Sequence, residues 1–420
     1  MAIDPSGSTN PSAATATDLS APAPPAAMAL PADTGTTSST TPDGSTTRKF
    51  YTLSASLREI YDDNINTTNT NPQSSLETDI SPSVLVDFPM SDSEFTGRYT
   101  FDLTAYSHAP SSVSNGGGSS NGSAVQYTHE FTAQYIHAFS DRFNLNVAED
   151  FRYFIQPSIL QSTGTNYQNG PYVANTLNGT ATAQWTPLFG TTTTYANTLV
   201  RYDDANVAAQ QDSLENTGSQ TFSFAILPKI SVSVGGIGDN ITYDTADRGY
   251  TSYTAFLGGQ WQALPSLSFT GRGGGTYIEP QQGIASFAPY AALTVNWTLG
   301  ERSELSFDYA HEITPTDQVG ANGQTSDRMD AGFRYDITAN LSSHLQGIFT
   351  SADISSSLST TGNSASYTQN SYALDTGLTY HYNNYLDFDC GITLSGVSSS
   401  QDASADYTRD QAYLGIRGTY

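Results

Sequence analysis

The sequence predicts an all-β fold: a transmembrane up-and-down antiparallel β-barrel of about 18 strands, with 16 to 18 compatible with the pattern. Three observations carry this. From about residue 49 the chain repeats runs of strict apolar–polar alternation, each long enough to cross a bilayer as a tilted strand. Tight turns and longer polar loops alternate between those runs. The chain reaches Tyr420 inside such a run, with Ala412, Leu414, Ile416, Gly418 and Tyr420 on one face and Tyr413, Gly415, Arg417 and Thr419 on the other. A last strand that pairs with the first leaves no open edge, so Tyr420 is expected to close the barrel.

Residues 1–48 are rich in Ala, Pro, Ser, Thr and Gly, with hardly any aromatic or branched apolar residue. Burial there cannot offset the entropy of ordering, so this segment is expected to be a disordered periplasmic leader, with the barrel over 49–420. No basic stretch followed by an apolar core marks a signal peptide. Delivery to an outer membrane needs one, so it is expected to have been removed or replaced.

Strand 1 sets Tyr51, Leu53, Ala55 and Leu57 against Thr52, Ser54, Ser56 and Arg58. Strand 2 sets Ile80, Pro82, Val84, Val86 and Phe88 against Asp79, Ser81, Ser83 and Asp87, and strand 3 sets Phe95, Tyr99, Phe101 and Leu103 against Arg98, Thr100, Asp102 and Thr104. The same pattern returns at Leu293–Trp297, Leu305–Tyr309, Leu374–Tyr380 and Leu386–Leu394. Tight turns are expected near Met90, Ser140, Leu188, Pro228, Pro265, Glu301, Asn340 and Asn383, on the periplasmic side. Longer loops are expected at 62–74, 109–125, 157–174, 204–212, 244–249, 279–284, 314–325, 352–366 and 397–406. Gly235–Gly236 suggests a bulge, and Gly271 with Gly273–Gly275 weakens strand 11.

Composition narrows the function. Net charge is -25, and Lys49 and Lys229 are the only lysines. This acid excess argues against nucleic acid and against docking on anionic lipid. The 26 Tyr and 19 Phe exceed what a disordered polar chain carries. A single cysteine, Cys390, excludes an internal disulfide and reads as a packed thiol on an apolar strand phase. No apolar run is long enough for a transmembrane helix.

The charges share one phase. Arg58, Arg98, Arg152, Arg201, Arg272, Arg334 and Arg417 are expected on the polar face, with Asp79, Asp87, Asp102, Glu130, Asp150, Asp308, Asp330, Asp336, Asp375, Asp387 and Asp389. A cation facing lipid at mid-membrane costs about 2–4 kcal/mol, so that face is read as the lumen. Glu149 is the misfit, on the apolar phase of strand 5, and implies a nearby bulge or a slip of register. Acids outnumber arginines, which favours cations in an open lumen. An Arg–carboxylate ladder that only satisfies the interior fits equally. Tyr51, Phe95, Phe139, Phe143, Trp185, Trp261, Trp297, Tyr382 and Tyr385 read as an interfacial girdle. Tyr106, Phe154 and Tyr290 are expected to face the lumen, to stack on sugar rings or simply to fill space.

Strand 1 ends in Tyr61-Asp62-Asp63-Asn64-Ile65, and strand 2 carries Ser81-Pro82-Ser83. With this first-strand turn and its general layout over 50–420, the chain resembles the putative β-barrel porin 2 family. The resemblance implies a bacterial outer-membrane barrel with an export or porin role, including barrels of exopolysaccharide operons, and supplies no catalytic residue. Asp62, Asp63 and Asn64 fit either an Asx turn or a hard cation, but lack the spacing of a calcium loop. His108, His129, His137, His311, His344 and His381 form no close-spaced ligand pair and read mostly as rim or lumen residues, so no metal or cofactor is expected. Without a nucleophile elbow, zincin or phosphate-loop motif, no enzyme is expected.

The expected function is a passive pore or export conduit for small polar solutes or polysaccharide, embedded in outer-membrane lipid and weakly cation-preferring. The loops at 109–125 and 157–174 are the expected constrictions. A homo-oligomer is compatible with the outer face, although no residue marks an interface. Two alternatives stand beside it. A plugged barrel serving as a structural or adhesive surface protein would admit no sugars. A soluble all-β protein would need no detergent.

Overall fold

The computed structural model describes residues 50–112, 120–121, 123–155, 170–244, 248–316, 318, 320–354, 358, 367–400 and 406–420. The expected leader and much of the loops at 109–125 and 157–174 lie outside them. Among the described residues, 18 strands form one closed sheet. They are β1 (Tyr51–Asp62), β2 (Ser75–Pro89), β3 (Ser93–Tyr106), β4 (Val125–Ser140), β5 (Phe143–Phe154), β6 (Tyr172–Thr186), β7 (Phe189–Tyr202), β8 (Ser213–Leu227) and β9 (Ile230–Tyr243), then β10 (Gly249–Leu264), β11 (Leu267–Pro280), β12 (Ser286–Thr298), β13 (Ser303–Thr314), β14 (Gln324–Thr338), β15 (Leu341–Ile354), β16 (Tyr367–Asn383), β17 (Leu386–Ser399) and β18 (Tyr407–Thr419).

Each strand pairs antiparallel with the next, and β18 returns to β1, with Ser54 opposite Thr419 and Asp62 opposite Gln411. Tyr420 extends that seam. Its N–H donates to Leu53 O at 2.7 Å, and its carbonyl accepts from Leu53 N–H at 3.0 Å. Among the described residues no helix is long and apolar enough to cross a membrane. The short helix α1 (Ala205–Gln211) stands where a loop is expected. Its N-cap Asp204 accepts from the N–H groups of Asn206 and Val207, which starts the turn.

Register shifts cluster at the short-turn end. They fall between Ala138 and Ser140, Gln184 and Thr186, Ala225 and Leu227, Gln262 and Leu264, Asp336 and Thr338, and His381 and Asn383, each just before a tight turn. A bulge there adds the right-handed twist that a short connection between tilted strands needs. None lies at Gly235–Gly236, where the ladder runs unbroken to both neighbours. Glycine is needed there for space: a Cβ on Gly235 would stand 2.6 Å from Gln220 O and 2.6 Å from the Phe256 ring, which crosses it inside the barrel. The glycines of β11 do not interrupt it either. Pro82 does mark a gap. The β2–β3 ladder skips Ser81 and Pro82, because proline has no N–H to donate.

One alternation runs consistently around the closed sheet. Tyr51, Leu53, Leu57 and Tyr61 point outward and are about half exposed, while Ser54, Ser56 and Arg58 point inward. Cys390 lies on the outer face and is exposed rather than packed, because its neighbours on that face, Leu378 and Leu414, project away from the convex wall. The girdle residues Tyr51, Phe139, Trp185, Trp261, Tyr382 and Tyr385 are all at least half exposed near the short turns, with rings paired as in Phe139–Phe143 (5.1 Å) and Trp261–Phe269 (5.5 Å).

At the long-loop end the inside of β9–β13 is packed. Ile241, Tyr243, Tyr250, Ile278 and Leu358 form a buried apolar cluster, with Ala288 and Ile313 against it. The β12–β13 ladder stops at Ala291 opposite His311, two residues from Pro289.

Candidate functional site

The candidate site is the inner wall. Strand register places Arg58, Arg98, Arg152, Arg272, Arg334 and Arg417 on one continuous inner face. Asp79, Asp87, Asp102, Glu130, Asp150, Asp308, Asp330, Asp336, Asp375, Asp387 and Asp389 stand on the same face. Arg201 does not. It pairs with Val173 in phase with Leu199 and Tyr195, which puts it on the outer face at the long-loop end, 3.1 Å from the Asp244 carboxylate. Polarity misleads in β7 because Thr191, Thr193 and Asn197 all occupy its outward phase.

Most of the inner arginines are held by acids. Arg58 reaches Asp389 at 2.7 Å across the intervening strand, and Arg417 reaches Asp387 at 2.8 Å. Arg152 lies between Asp150, at 2.6 Å, and Glu130, at 3.6 Å. Arg334 and Asp336 are 3.6 Å apart. Arg272 stacks on Phe256, with its guanidinium carbon 5.1 Å from the ring centre. His344 and His381 join this face, 2.7 Å from Asp375 and Asp387 respectively.

Other acids meet only neutral donors. Asp79 accepts from Ser81 and Thr104, Asp102 from Thr128, and Asp308 from Thr294. Hydroxyls leave a carboxylate charged, whereas an arginine cancels it. The inner wall therefore carries surplus negative charge beside its ion pairs. It also has a hydroxyl-rich arc over β6–β10, lined by Thr176, Thr192, Thr198, Ser219, Thr221 and Ser252 and interrupted by Glu215 and Asp239, with Thr176 and Thr198 hydrogen-bonded at 3.2 Å.

Several residues of this wall were not singled out in the sequence. Arg328, near Asp330, and Arg409 follow the same alternation as Arg334 and Arg417 but sit close to strand starts. Arg409 binds Asp62, which is fully buried, with Nε 2.6 Å from Oδ2. Gln411 donates to the same oxygen at 3.0 Å, and the Asn64 N–H closes an Asx turn on the other oxygen at 2.8 Å. Asp63 pairs with the Asp410 backbone. The Asp62–Asn64 turn thus fastens β1 to β18, and the arginine takes the place a hard cation would need. Among the described residues no group of His, Cys, Asp and Glu is arranged to hold a metal.

Three further placements differ from expectation. His129 and His137 lie on the outer face, among Tyr99, Tyr127 and Tyr153 and between Tyr135 and Phe139. His311 also faces outward, 2.8 Å from Asp327. Glu149 needs neither bulge nor slip, for it pairs in unbroken register with Ala133 and Leu177 and faces outward.

The described contacts over the lumen also come from unexpected segments. Arg248, 2% exposed, donates to the carbonyls of Gln210, Thr316 and Gln318 and stacks on Tyr243 at 3.8 Å. Asn322, fully buried, donates to the carbonyls of Gln282 and Leu358. These two side chains stitch together connections that lie between β7 and β16.

A closed antiparallel barrel with an apolar outer belt and a charged, hydroxyl-rich inner wall is a porin-like barrel. Residues 282–420, which include β12–β18, match the model of the family described as putative beta-barrel porin 2. The Asp62–Asn64 turn lies outside that segment, although its partner Arg409 lies within it. No curated protein matches. Among solved structures, OccAB4 of Acinetobacter baumannii is 8% identical at a TM-score of 0.43, over 89% of this chain and 99% of that one. OpdK of Pseudomonas aeruginosa is 9% identical at 0.45, over 88% and 99%. OccK8 (OprE) of Pseudomonas aeruginosa is 12% identical at 0.41, over 88% and 98%.

Proposed function

We propose that the protein is an outer-membrane pore through which small polar solutes diffuse, with a weak preference for cations. One observation carries this reading: inner-wall acids such as Asp79, Asp102 and Asp308 are bound by hydroxyls, while the inner arginines are largely matched to other carboxylates. A lumen with uncompensated carboxylates concentrates cations and repels anions. The hydroxyl arc offers exchangeable hydrogen bonds to neutral solutes. Polysaccharide is the larger cargo that the family resemblance implies. Of the aromatics considered for stacking on sugars, Tyr290 is 3% exposed and packs on Phe256, which weighs against it as a sugar platform.

A second reading, a plugged barrel displayed at the cell surface, is favoured by the buried cluster around Tyr250 and the Arg248 junction. Liposome swelling separates the two. Proteoliposomes in which insertion has been verified should swell in small sugars, at rates that fall as the sugar grows. Inserted protein that admits no sugar overturns the pore and leaves the plugged barrel.

A further inference from the structure

The outer wall is not uniform. Over β17 and β2 it presents Phe388, Ile392 and Leu394, and Ile80, Val84 and Val86. Over β5–β9 the same face presents Glu149, Thr193, Asn197, Asn216, Gln220 and Asn240. Depth makes this significant. At about 3.3 Å per residue and a tilt of about 40°, Glu149 and the paired Thr193 and Gln220 stand roughly 10–18 Å above the short-turn end, inside an apolar band about 25 Å tall. Asn197, Asn216 and Asn240 continue to its outer border.

These side chains bond along the wall. Thr193 donates to Gln220 at 2.6 Å, Asn197 to Asn216 at 2.9 Å and Asn240 to Thr251 at 2.8 Å. The Gln220 amide also donates to the carbonyls of Thr192 and Thr221, while the Asn197 and Asn240 side-chain oxygens and the Asn216 amide are left facing outward. The Glu149 carboxylate has no hydrogen-bond or ion-pair partner among the described residues. Hydrocarbon would leave the Glu149 carboxylate and the outward asparagine groups unanswered.

We infer that the β5–β9 outer wall is a protomer interface, covered in the membrane by a second copy of this chain. A second copy carries the same polar band at the same height, so the groups meet without any adjustment of depth. Asn, Gln and Thr each donate and accept, so the patch complements itself, and the acceptor-only Glu149 finds amide donors there. The patch is one contiguous sector, as closed cyclic symmetry requires. Gly218 lies directly opposite Gly238 in its middle, so a second wall can approach the backbone closely. The inference goes beyond the pore reading and needs only that the barrel stands in a membrane.

Gly218→Phe tests it. No atom lies within 4 Å of a Cβ built on Gly218 or Gly238, so the side chain fits the single barrel and obstructs only a neighbour. Gly273→Phe is the control, equally open but on β11, outside the patch. The mass of the full chain in lipid nanodiscs is measured for all three proteins, with folding checked by the heat-dependent shift in gel mobility. The expected result is an oligomer for the unmodified chain and Gly273→Phe, and a folded monomer for Gly218→Phe. A monomeric unmodified chain overturns the interface. So does an oligomer that survives Gly218→Phe, or one that Gly273→Phe also dissolves. Should Gly218→Phe fail to fold, Gln220→Cys in a Cys390→Ala background replaces it. Bismaleimide cross-linking between copies supports the interface, and its absence refutes it.

Discussion

Replacing Asp62 by Asn should loosen the seam where the first strand meets the last. Asp62 is fully buried and the Arg409 side chain only 15% exposed, with 2.6 Å between Nε and Oδ2. Asparagine keeps the shape and the oxygen that accepts from the Asn64 N–H, so the turn survives, while the charge and the oxygen that accepts from Arg409 and Gln411 are lost. Breaking a buried pair costs about 3–5 kcal/mol, mostly through the partner left uncompensated. Glu77, 3.9 Å from Arg409, softens this, so the lower end of that range, about 3 kcal/mol, is expected. That is roughly a hundredfold in the folding equilibrium. The assay is urea-dependent unfolding in lipid vesicles, read by tryptophan fluorescence and gel mobility, with Arg409→Met completing a double-mutant cycle. A loss below about 0.5 kcal/mol for Asp62→Asn, or additivity of the two changes, would refute the claim that this pair closes the barrel.

Other consequences follow from the inner wall and its cap. Arg58→Ala should raise cation preference, because it frees Asp389, whereas Arg201→Ala should leave the reversal potential unchanged because Arg201 faces outward. Gly235→Ala should cost about 1–3 kcal/mol through its clash with Gln220 O and Phe256, while Gly218→Ala costs little in the isolated barrel, both read as urea midpoints. Arg248→Met removes a donor from three carbonyls, at about 2 kcal/mol, and should speed protease cleavage within 315–323 in intact vesicles.

The strands and their connections were legible because alternation with a period of two is local, and a buried or lipid-facing side enforces it at every step. The tight turns expected at Pro228, Pro265 and Asn340 all fall between paired strands. Legibility failed where the two faces of a strand have similar polarity. In β7, Thr and Asn lie on both sides of the alternation, so hydropathy could not tell that Arg201 faces out. Glu149 was read in the correct phase, and its ladders to Ala133 and Leu177 run unbroken without the bulge or slip that its charge suggested. What joins distant segments was not legible at all. Asp62 and Arg409 are 347 residues apart, and Arg248 gathers carbonyls from connections that no pattern relates. Such contacts depend on how the closed sheet brings its loops together, and the strand code carries no information about that.

Single-channel recording in a planar bilayer under a potassium chloride gradient is the most direct test of the acid-lined pore. The wall described here predicts steady conductance steps and a reversal potential on the cation-selective side, moving towards zero when Asp79 and Asp102 are both replaced by Asn. Inserted barrels that carry no current, or a reversal potential of the opposite sign, would contradict it.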